Sequence, residues 1–407
     1  MKRIGLLFFD PYSINKGTGA LAYSAVSLLN EISKETLEKF EYVFLEPCKP
    51  INNLIDNFLN ICDEKIPIEM KRCFPSKTLK DKLRIFLMLK QYFDSYKVDF
   101  ILDIGEGDSY SDIYGKDRFY LFDDVKKFYL KKNIPFVICP QTLGPFSDSH
   151  IEKKAVKTLK KVNVLCSRDD KTTSYIKKLM PEKDVFQFPD FAFFLPYRKD
   201  DFLSNDFDNT KINIGINVSG LLWHGGYTQD NQFNLSVDYK KLINNVINYF
   251  LTQENVCVYL VPHVLHEQNT LDNDYPVCLE IKKIYKSKKL KLSPFFMTPI
   301  EAKSYIANLD FFVGARLHST IAAFSSGVPV VPCAYSRKFT GLYIDSLSYN
   351  HIADLMKKTT DEAFFEIISS FNKRNELKNE ITLIMKNKIN PEKKLLKEML
   401  KKIAGVD

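Results

Sequence analysis

Residues 310–341 read Asp-Phe-Phe-Val-Gly-Ala-Arg-Leu-His-Ser-Thr-Ile-Ala-Ala-Phe-Ser-Ser-Gly-Val-Pro-Val-Val-Pro-Cys-Ala-Tyr-Ser-Arg-Lys-Phe-Thr-Gly, and this stretch decides the fold. Phe311–Val313 and Val328–Pro332 are short apolar runs, and Ile321–Phe324 between them is a turn or two of buried helix. The pattern predicts a strand, a turn, a helix and a second strand. Gly314 relaxes the turn, Ser319 or Thr320 is placed to cap the helix, and Gly327 sits where a helix end favours a left-handed residue. Arg316 and His318 then fall where a strand's carboxyl end meets a helix's amino end, the side of an open parallel sheet on which ligands bind. The free N–H groups of a first helical turn attract anions. A guanidinium and an imidazole at that place point to an anionic substrate.

A chain of 407 residues suits two domains, and 45% hydrophobic with 13% aromatic residues can fill two cores. The excess of 58 Lys+Arg over 50 Asp+Glu is spread over many Lys-rich helices. It points away from nucleic acid and towards a small anion, or an acceptor carried near an anionic membrane surface. The eight cysteines form no C-x-x-C pair, and Cys139, Cys166 and Cys257 sit in apolar runs as reduced, buried thiols do, so no metal site is expected. Ile4–Phe9 after Lys2-Arg3 is too short for a signal peptide and reads as a first strand. No run approaches the roughly 18 apolar residues of a membrane span. The expectation is a cytoplasmic protein, with peripheral contact at the inner face of the membrane left open.

Outward from the central stretch, the same alternation recurs. Strands are expected at Ile4–Phe9, Tyr42–Leu45, Phe100–Ile104, Pro135–Cys139 and Val164–Cys166, with helices at Ala20–Leu29, Leu79–Tyr96, Glu152–Val162 and Lys171–Leu179. Gly17 and Gly19, before the first helix, make either a turn that admits a phosphate or sugar or simply a tight turn. Glu106 and Asp108, after Phe100–Ile104, either bind sugar hydroxyls, act as a base, or lie in a solvated loop. Ser167-Arg168-Asp169 repeats the placement of Arg316. It is either a local ion pair or a second guanidinium of a shared anion site. The polar segment Tyr197–Lys211 separates domains 1–197 and 212–407, with the linker at 198–211.

In the second half, strands are expected at Ile212–Val218, Val256–Val261 and Leu290–Leu292, with helices at Tyr239–Leu251, Ile281–Tyr285 and Pro299–Leu309. Gly220, Gly225 and Gly226 around Trp223 form a loop that clamps a ligand or merely turns. His263, next to Val256–Val261, is read as a structural hydrogen-bonder. In the basic tail, Leu395, Leu396, Met399, Leu400 and Ile403 form one stripe, with Lys393, Lys394, Lys397, Lys401 and Lys402 mostly opposite. Packing on its own domain is preferred there to lying on a membrane. Strands alternate with helices and no β-meander intervenes, which gives two doubly wound Rossmann-like α/β domains facing across a cleft.

Gly314-Ala-Arg316-Leu-His318-Ser319, Gly327-Val-Pro329 and Tyr335-Ser-Arg-Lys338 carry a resemblance, supported by Gln141-Thr-Leu-Gly144-Pro145-Phe146, Ser167-Arg168-Asp169 and Pro189-Asp190-Phe-Ala192. In this order they make the chain similar, over nearly its whole length, to the polysaccharide pyruvyl transferase family. The chain departs from the family's pattern at Gly17-Thr-Gly19-Ala20, where a Gly-Asp pair is common, and at Gly105-Glu-Gly107, in place of a run of glycines. Both lie in the first domain, the expected acceptor side.

The resemblance implies a fold like that of the B-type glycosyltransferases. It implies transfer of a pyruvyl group from phosphoenolpyruvate to two hydroxyls of one sugar, a 4,6-ketal on a hexose such as galactose, in surface polysaccharide biosynthesis. Phosphoenolpyruvate is then the donor substrate, with no cofactor or metal, and a lipid-linked oligosaccharide is the acceptor. Arg168, Arg316 and Lys338 would hold the two anionic groups, and His318 would be either the acid or a phosphate ligand. Ser319, Gln141, Gly17, Gly19, Glu106 and Asp108 complete the expected substrate contacts, with the base among Glu106, Asp108 and Asp169. The rival readings are a nucleotide-sugar-dependent glycosyltransferase of the same fold and a non-catalytic carbohydrate-binding protein.

Overall fold

The computed structural model describes residues 1–46, 57–72, 97–202, 207–266 and 270–406. The helix expected at Leu79–Tyr96 lies outside the described residues, as do Cys48 and Cys73. The chain divides into two units, the first of Met1–Pro11, Leu21–Phe191 and Pro391–Asp407, the second of Tyr12–Ala20 and Ala192–Asn390.

The sheet of the first unit contains β1 (Lys2–Leu7), β2 (Phe40–Glu46), β3 (Phe58–Ile61), β4 (Glu64–Arg72), β5 (Phe100–Asp103), β6 (Phe136–Ile138), β7 (Val164–Ser167) and β8 (Phe186–Gln187), in the order β3-β4-β2-β1-β5-β6-β7-β8. Its inner strands are continuous apolar runs because helices cover both faces of a parallel sheet, and Leu6, Leu7, Val43, Phe44, Ile101 and Leu102 are fully buried. The edge hairpin is a correction to the purely alternating pattern: β3 and β4 pair antiparallel. Glu64, Lys65, Pro67, Glu69 and Lys71, all on β4 next to the edge strand, interrupt any apolar run and hide the hairpin from such a reading.

The second unit contains β9 (Ile212–Asn217), β10 (Val256–Leu260), β11 (Leu290–Leu292), β12 (Phe311–Gly314), β13 (Val330–Ala334) and β14 (Ala353–Asp354), all parallel, in the order β11-β10-β9-β12-β13-β14. The order reverses between β1 and β5 in one sheet and between β9 and β12 in the other. Ligands of open α/β sheets bind beyond the strand ends at such reversals. Phe8 and Asp103 mark that place in the first unit, Asn217 and Arg316 in the second.

Two segments depart from the expected domains. Residues 12–20 join the second unit: Asn15 bridges Val264, Lys16 N–H donates to His263 O (3.0 Å) and Leu265 N–H to Ile14 O (3.0 Å). The terminal helix Asn390–Ala404 joins the first unit and buries Leu396, Leu400 and Ala404, while Leu395 is exposed. Lys393 and Lys397 reach Glu31 at 2.9 and 3.2 Å, and Lys401 reaches Glu35 at 3.3 Å, so these lysines face protein carboxylates. Described parts of the expected linker are fastened to the second unit, with Arg198 N–H on Ser304 Oγ (3.0 Å) and Asn308 Nδ2 on Lys199 O (3.0 Å).

In the central stretch Gly327 takes the left-handed φ of 77° expected at a helix end. Gly314 serves close packing instead of a turn, since a Cβ there would lie 2.8 Å from Phe312 Cε1 and from Thr320 Cγ2. Neither Ser319 nor Thr320 caps the helix Leu317–Ser325; their hydroxyls donate to Arg316 O (2.7 Å) and Leu317 O (2.6 Å). Among the described residues no helix is long and apolar enough to cross a membrane.

Candidate active site

In the second unit one carboxylate gathers the loops at the sheet reversal. Asp274, fully buried at the start of the helix Asp274–Tyr285, accepts from Gly220 N–H (2.9 Å) beyond β9 and from His263 N–H (3.1 Å) and Val264 N–H (3.0 Å) beyond β10. Beyond β12, Arg316 donates to it through Nη2 (2.7 Å) and Nε (3.1 Å), and through Nη2 to Asp272 O (2.5 Å). Asn217, at the end of β9, accepts Arg316 N–H (2.8 Å) at Oδ1, with Ser319 Oγ 3.2 Å from the same oxygen. Burial works against the Arg316 charge, but Asp274 outweighs it and leaves the guanidinium above its ordinary pKa.

His318 lies in the first turn of the helix Leu317–Ser325, packed against Gly17 so closely that a Cβ on the glycine would meet its Nδ1 at 2.3 Å. Gly17 and Gly19 are therefore not a loop before the helix. They lie inside the helix Lys16–Thr36, whose start Asn15 supports by accepting Gly17 N–H at Oδ1 (3.0 Å) and Gly19 N–H at its carbonyl (3.1 Å). Lys16 directs its ammonium to Met297 O (3.0 Å).

His263 is buried with no partner for Nδ1 among the described residues, and its pKa falls well below the ordinary value through burial and then through the electrostatic influence of His318, Arg316 and Lys16. Burial thus favours its neutral form. Lys338 sits on the short helix Arg337–Thr340 with its ammonium 5.8 Å from the Tyr335 ring, and the same tyrosine acts electrostatically on Arg316.

In the first unit Arg168 is almost fully buried and paired with Asp190 (2.6 Å), with Nε on Thr142 Oγ1 (3.0 Å). Its sequence neighbour Asp169 instead caps the helix Asp170–Leu179 through Thr172 N–H (2.8 Å). Burial again opposes the Arg168 charge, and Asp190, Asp108 and Asp169 together leave its pKa raised. Glu106 is bound by Arg118, and Asp108 accepts Tyr114 O–H (3.0 Å). Ser319 and Gln141, expected as substrate contacts, are fully buried. Ser319 braces Arg316 from behind, and Gln141 Nε2 braces Asp103 O (2.8 Å).

The sequence profile of the polysaccharide pyruvyl transferase family matches residues 15–337. The chain belongs to this family. It is accordingly a transferase of the pyruvyl transferase type. A comparison with curated protein sequences gave no match.

Among solved structures this pyruvyl transferase is similar to the UDP-GlcNAc 2-epimerase of Neisseria meningitidis bound to UDP-GlcNAc, at 10% identity over 99% of this chain and 100% of that chain, with a TM-score of 0.60. It is also similar to HepE of Anabaena in complex with UDP and glucose (10% identity, 99% and 100% covered, TM-score 0.54). A third is UGT73P12 of Glycyrrhiza uralensis complexed with glycyrrhetinic acid 3-O-monoglucuronide (9% identity, 100% and 96% covered, TM-score 0.55). Likeness at this identity is of fold alone, and it is the B-type glycosyltransferase fold expected from the sequence.

Within the pyruvyl transferase, Asp274, Asn217 and Lys16 are the residues that sequence reasoning missed. The only local signal for Asp274 was Asn273 before it, which caps its helix through Tyr275 N–H (3.1 Å).

Proposed function

We propose that this transferase moves the pyruvyl group of phosphoenolpyruvate onto two hydroxyls of one hexose, as a 4,6-ketal on a galactose-like residue of a lipid-linked acceptor. The observation that carries the reading is the Arg316–Asp274 pair with His318 two residues on, in the first turn of a helix. A guanidinium tied on one edge by a buried carboxylate is fixed in direction, as a site for a small dianion requires. Lys338 beside Tyr335 supplies a second cation, and the helix N–H groups contribute their dipole. Arg168 is the corresponding guanidinium of the first unit.

In this scheme His318 gives a proton to the methylene carbon of phosphoenolpyruvate, and the adjacent carbon becomes oxocarbenium-like. One sugar hydroxyl adds there and loses its proton to a base. Phosphate departs with the electrons of its C–O bond, the second hydroxyl closes the ring, and its proton leaves with phosphate. Glu106, Asp108 and Asp169 are the base candidates, each already engaged in hydrogen bonds or ion pairs of the first unit.

The test is phosphate release from phosphoenolpyruvate by purified protein, with and without a panel of hexosides, beside His318→Ala. Sugar-dependent release that the variant loses supports the proposal. The epimerase is bound to UDP-GlcNAc, and HepE is in complex with UDP and glucose. Stabilisation by a nucleotide sugar, with indifference to phosphoenolpyruvate, would favour a nucleotide-sugar glycosyltransferase.

A further inference from the structure

One buried pair in the first unit takes no part in this chemistry. Lys126, on the helix Lys116–Leu130, and Asp103, at the end of β5, expose no side-chain surface and lie 2.8 Å apart. The ammonium also lies over the rings of Tyr110 (4.3 Å), Phe8 (4.9 Å) and Phe122 (5.3 Å). Phe8 stacks on Phe122 at 3.8 Å and keeps a φ of 59°, a region that bulky side chains avoid. A buried ion pair contributes little net stability, because desolvation offsets its attraction and apolar residues of similar volume often serve as well. Its role is to be sought in what it holds.

Asp103 Oδ1 accepts Gly105 N–H (2.8 Å), the first residue of a loop in which Gly105, Glu106 and Gly107 have φ of 52°, 51° and 93°. Gln141 Oε1 is buried against Gly105 without a hydrogen-bond partner among the described residues, and a Cβ on the glycine would approach it to 2.1 Å. Gly107 O accepts Thr142 N–H (2.9 Å), and Thr142 Oγ1 accepts Arg168 Nε–H (3.0 Å). Asp108, at the end of the loop, adds its charge to the field around Arg168. The ion pair is thus the root of a hydrogen-bonded path that runs through three left-handed residues to Arg168.

We propose that Lys126 and Asp103 are a positioning pair, whose contact holds the Gly105–Asp108 loop in its left-handed course and thereby sets how the acceptor sugar binds. The proposal rests on the reading of this loop as the acceptor side. It acts at a distance, since neither side chain reaches solvent or substrate.

The test uses Lys126→Met and, because a lone buried carboxyl can prevent folding, the double variant Asp103→Leu/Lys126→Met, which buries no charge and leaves Gly105 N–H without its side-chain acceptor. Amide hydrogen exchange is followed over residues 105–109, and donor and acceptor KM are measured separately. Loss of a hydrogen-bonded hold worth a little over 1 kcal/mol predicts roughly tenfold faster exchange in the loop, with β5 and β6 unchanged, and about a tenfold rise in acceptor KM with donor KM within about twofold. Wild-type exchange in the double variant overturns the positioning role. Faster exchange with an unchanged acceptor KM overturns its link to the acceptor. Failure of the functional reading looks different: the unmutated enzyme then releases no phosphate with any sugar, while exchange still decides whether the pair holds the loop.

Discussion

Gly17 lies against the imidazole of His318, leaving 2.3 Å between Nδ1 and the place where any Cβ on residue 17 would stand. This contact joins a helix that starts at Lys16 to the helix Leu317–Ser325 within one unit. It also makes residue 17 a test of whether His318 must be held in place.

Gly17→Ala should separate folding from activity. Alanine favours a helix by about 1 kcal/mol over glycine, yet its methyl group displaces His318. The expected outcome is a kcat lowered by about a hundredfold, in line with the 10²–10⁴ that a general acid contributes, with the melting temperature within a few degrees of wild type. Unchanged kcat would show that the position of His318 does not matter.

Asp274→Asn should damage both stability and donor binding. It leaves Arg316, only 12% exposed, without its counter-charge, and removing one partner of a buried pair costs about 3–5 kcal/mol. Urea denaturation should register that loss, and donor KM should rise more than acceptor KM. A loss below about 1 kcal/mol would class the contact with surface ion pairs.

His263 should make the protein sensitive to acid. Its folded pKa lies well below the ordinary value, so below about pH 6.5 the unfolded chain binds a proton that the folded chain refuses. Stability therefore rises with pH and is lost as pH falls below that value. His263→Gln should flatten the dependence of unfolding free energy on pH between about 6.5 and 4.5, by up to about 1.4 kcal/mol per pH unit. Parallel curves for wild type and variant would contradict a neutral, buried imidazole.

The terminal helix should be held by its leucines more than by its lysines. Leu396 and Leu400 are buried, whereas Glu35, the partner of Lys397 and Lys401, is about half exposed. Leu400→Ala should cost about 2–5 kcal/mol and Lys401→Met less than about 1 kcal/mol, read by urea denaturation. The reverse order would mean that charge docks the helix.

Much of the fold was legible because parallel strands buried on both faces are continuous apolar runs, as at Phe311–Gly314 and Val256–Leu260. The hairpin Phe58–Arg72 was not, since the charges and proline of β4 interrupt any such run. The helix start at Lys16 was obscured by Gly17 and Gly19, poor helix formers, the first of which is required by the approach of His318 and supported by Asn15. Arg316 and His318 were visible because the strand-to-helix junction is local. Asp274 was not, because its meaning lies in partners 54, 11 and 42 residues away, at Gly220, His263 and Arg316.

The most direct test of the central claim is mass spectrometry of a galactoside acceptor after incubation with the enzyme and phosphoenolpyruvate labelled with ¹³C in its three carbons. The account predicts a product that carries all three labelled carbons as a ketal, one phosphate released per ketal formed, and neither with His318→Ala. An acceptor left unlabelled across the hexoside panel, with a sugar transferred when a nucleotide sugar is supplied, would contradict it.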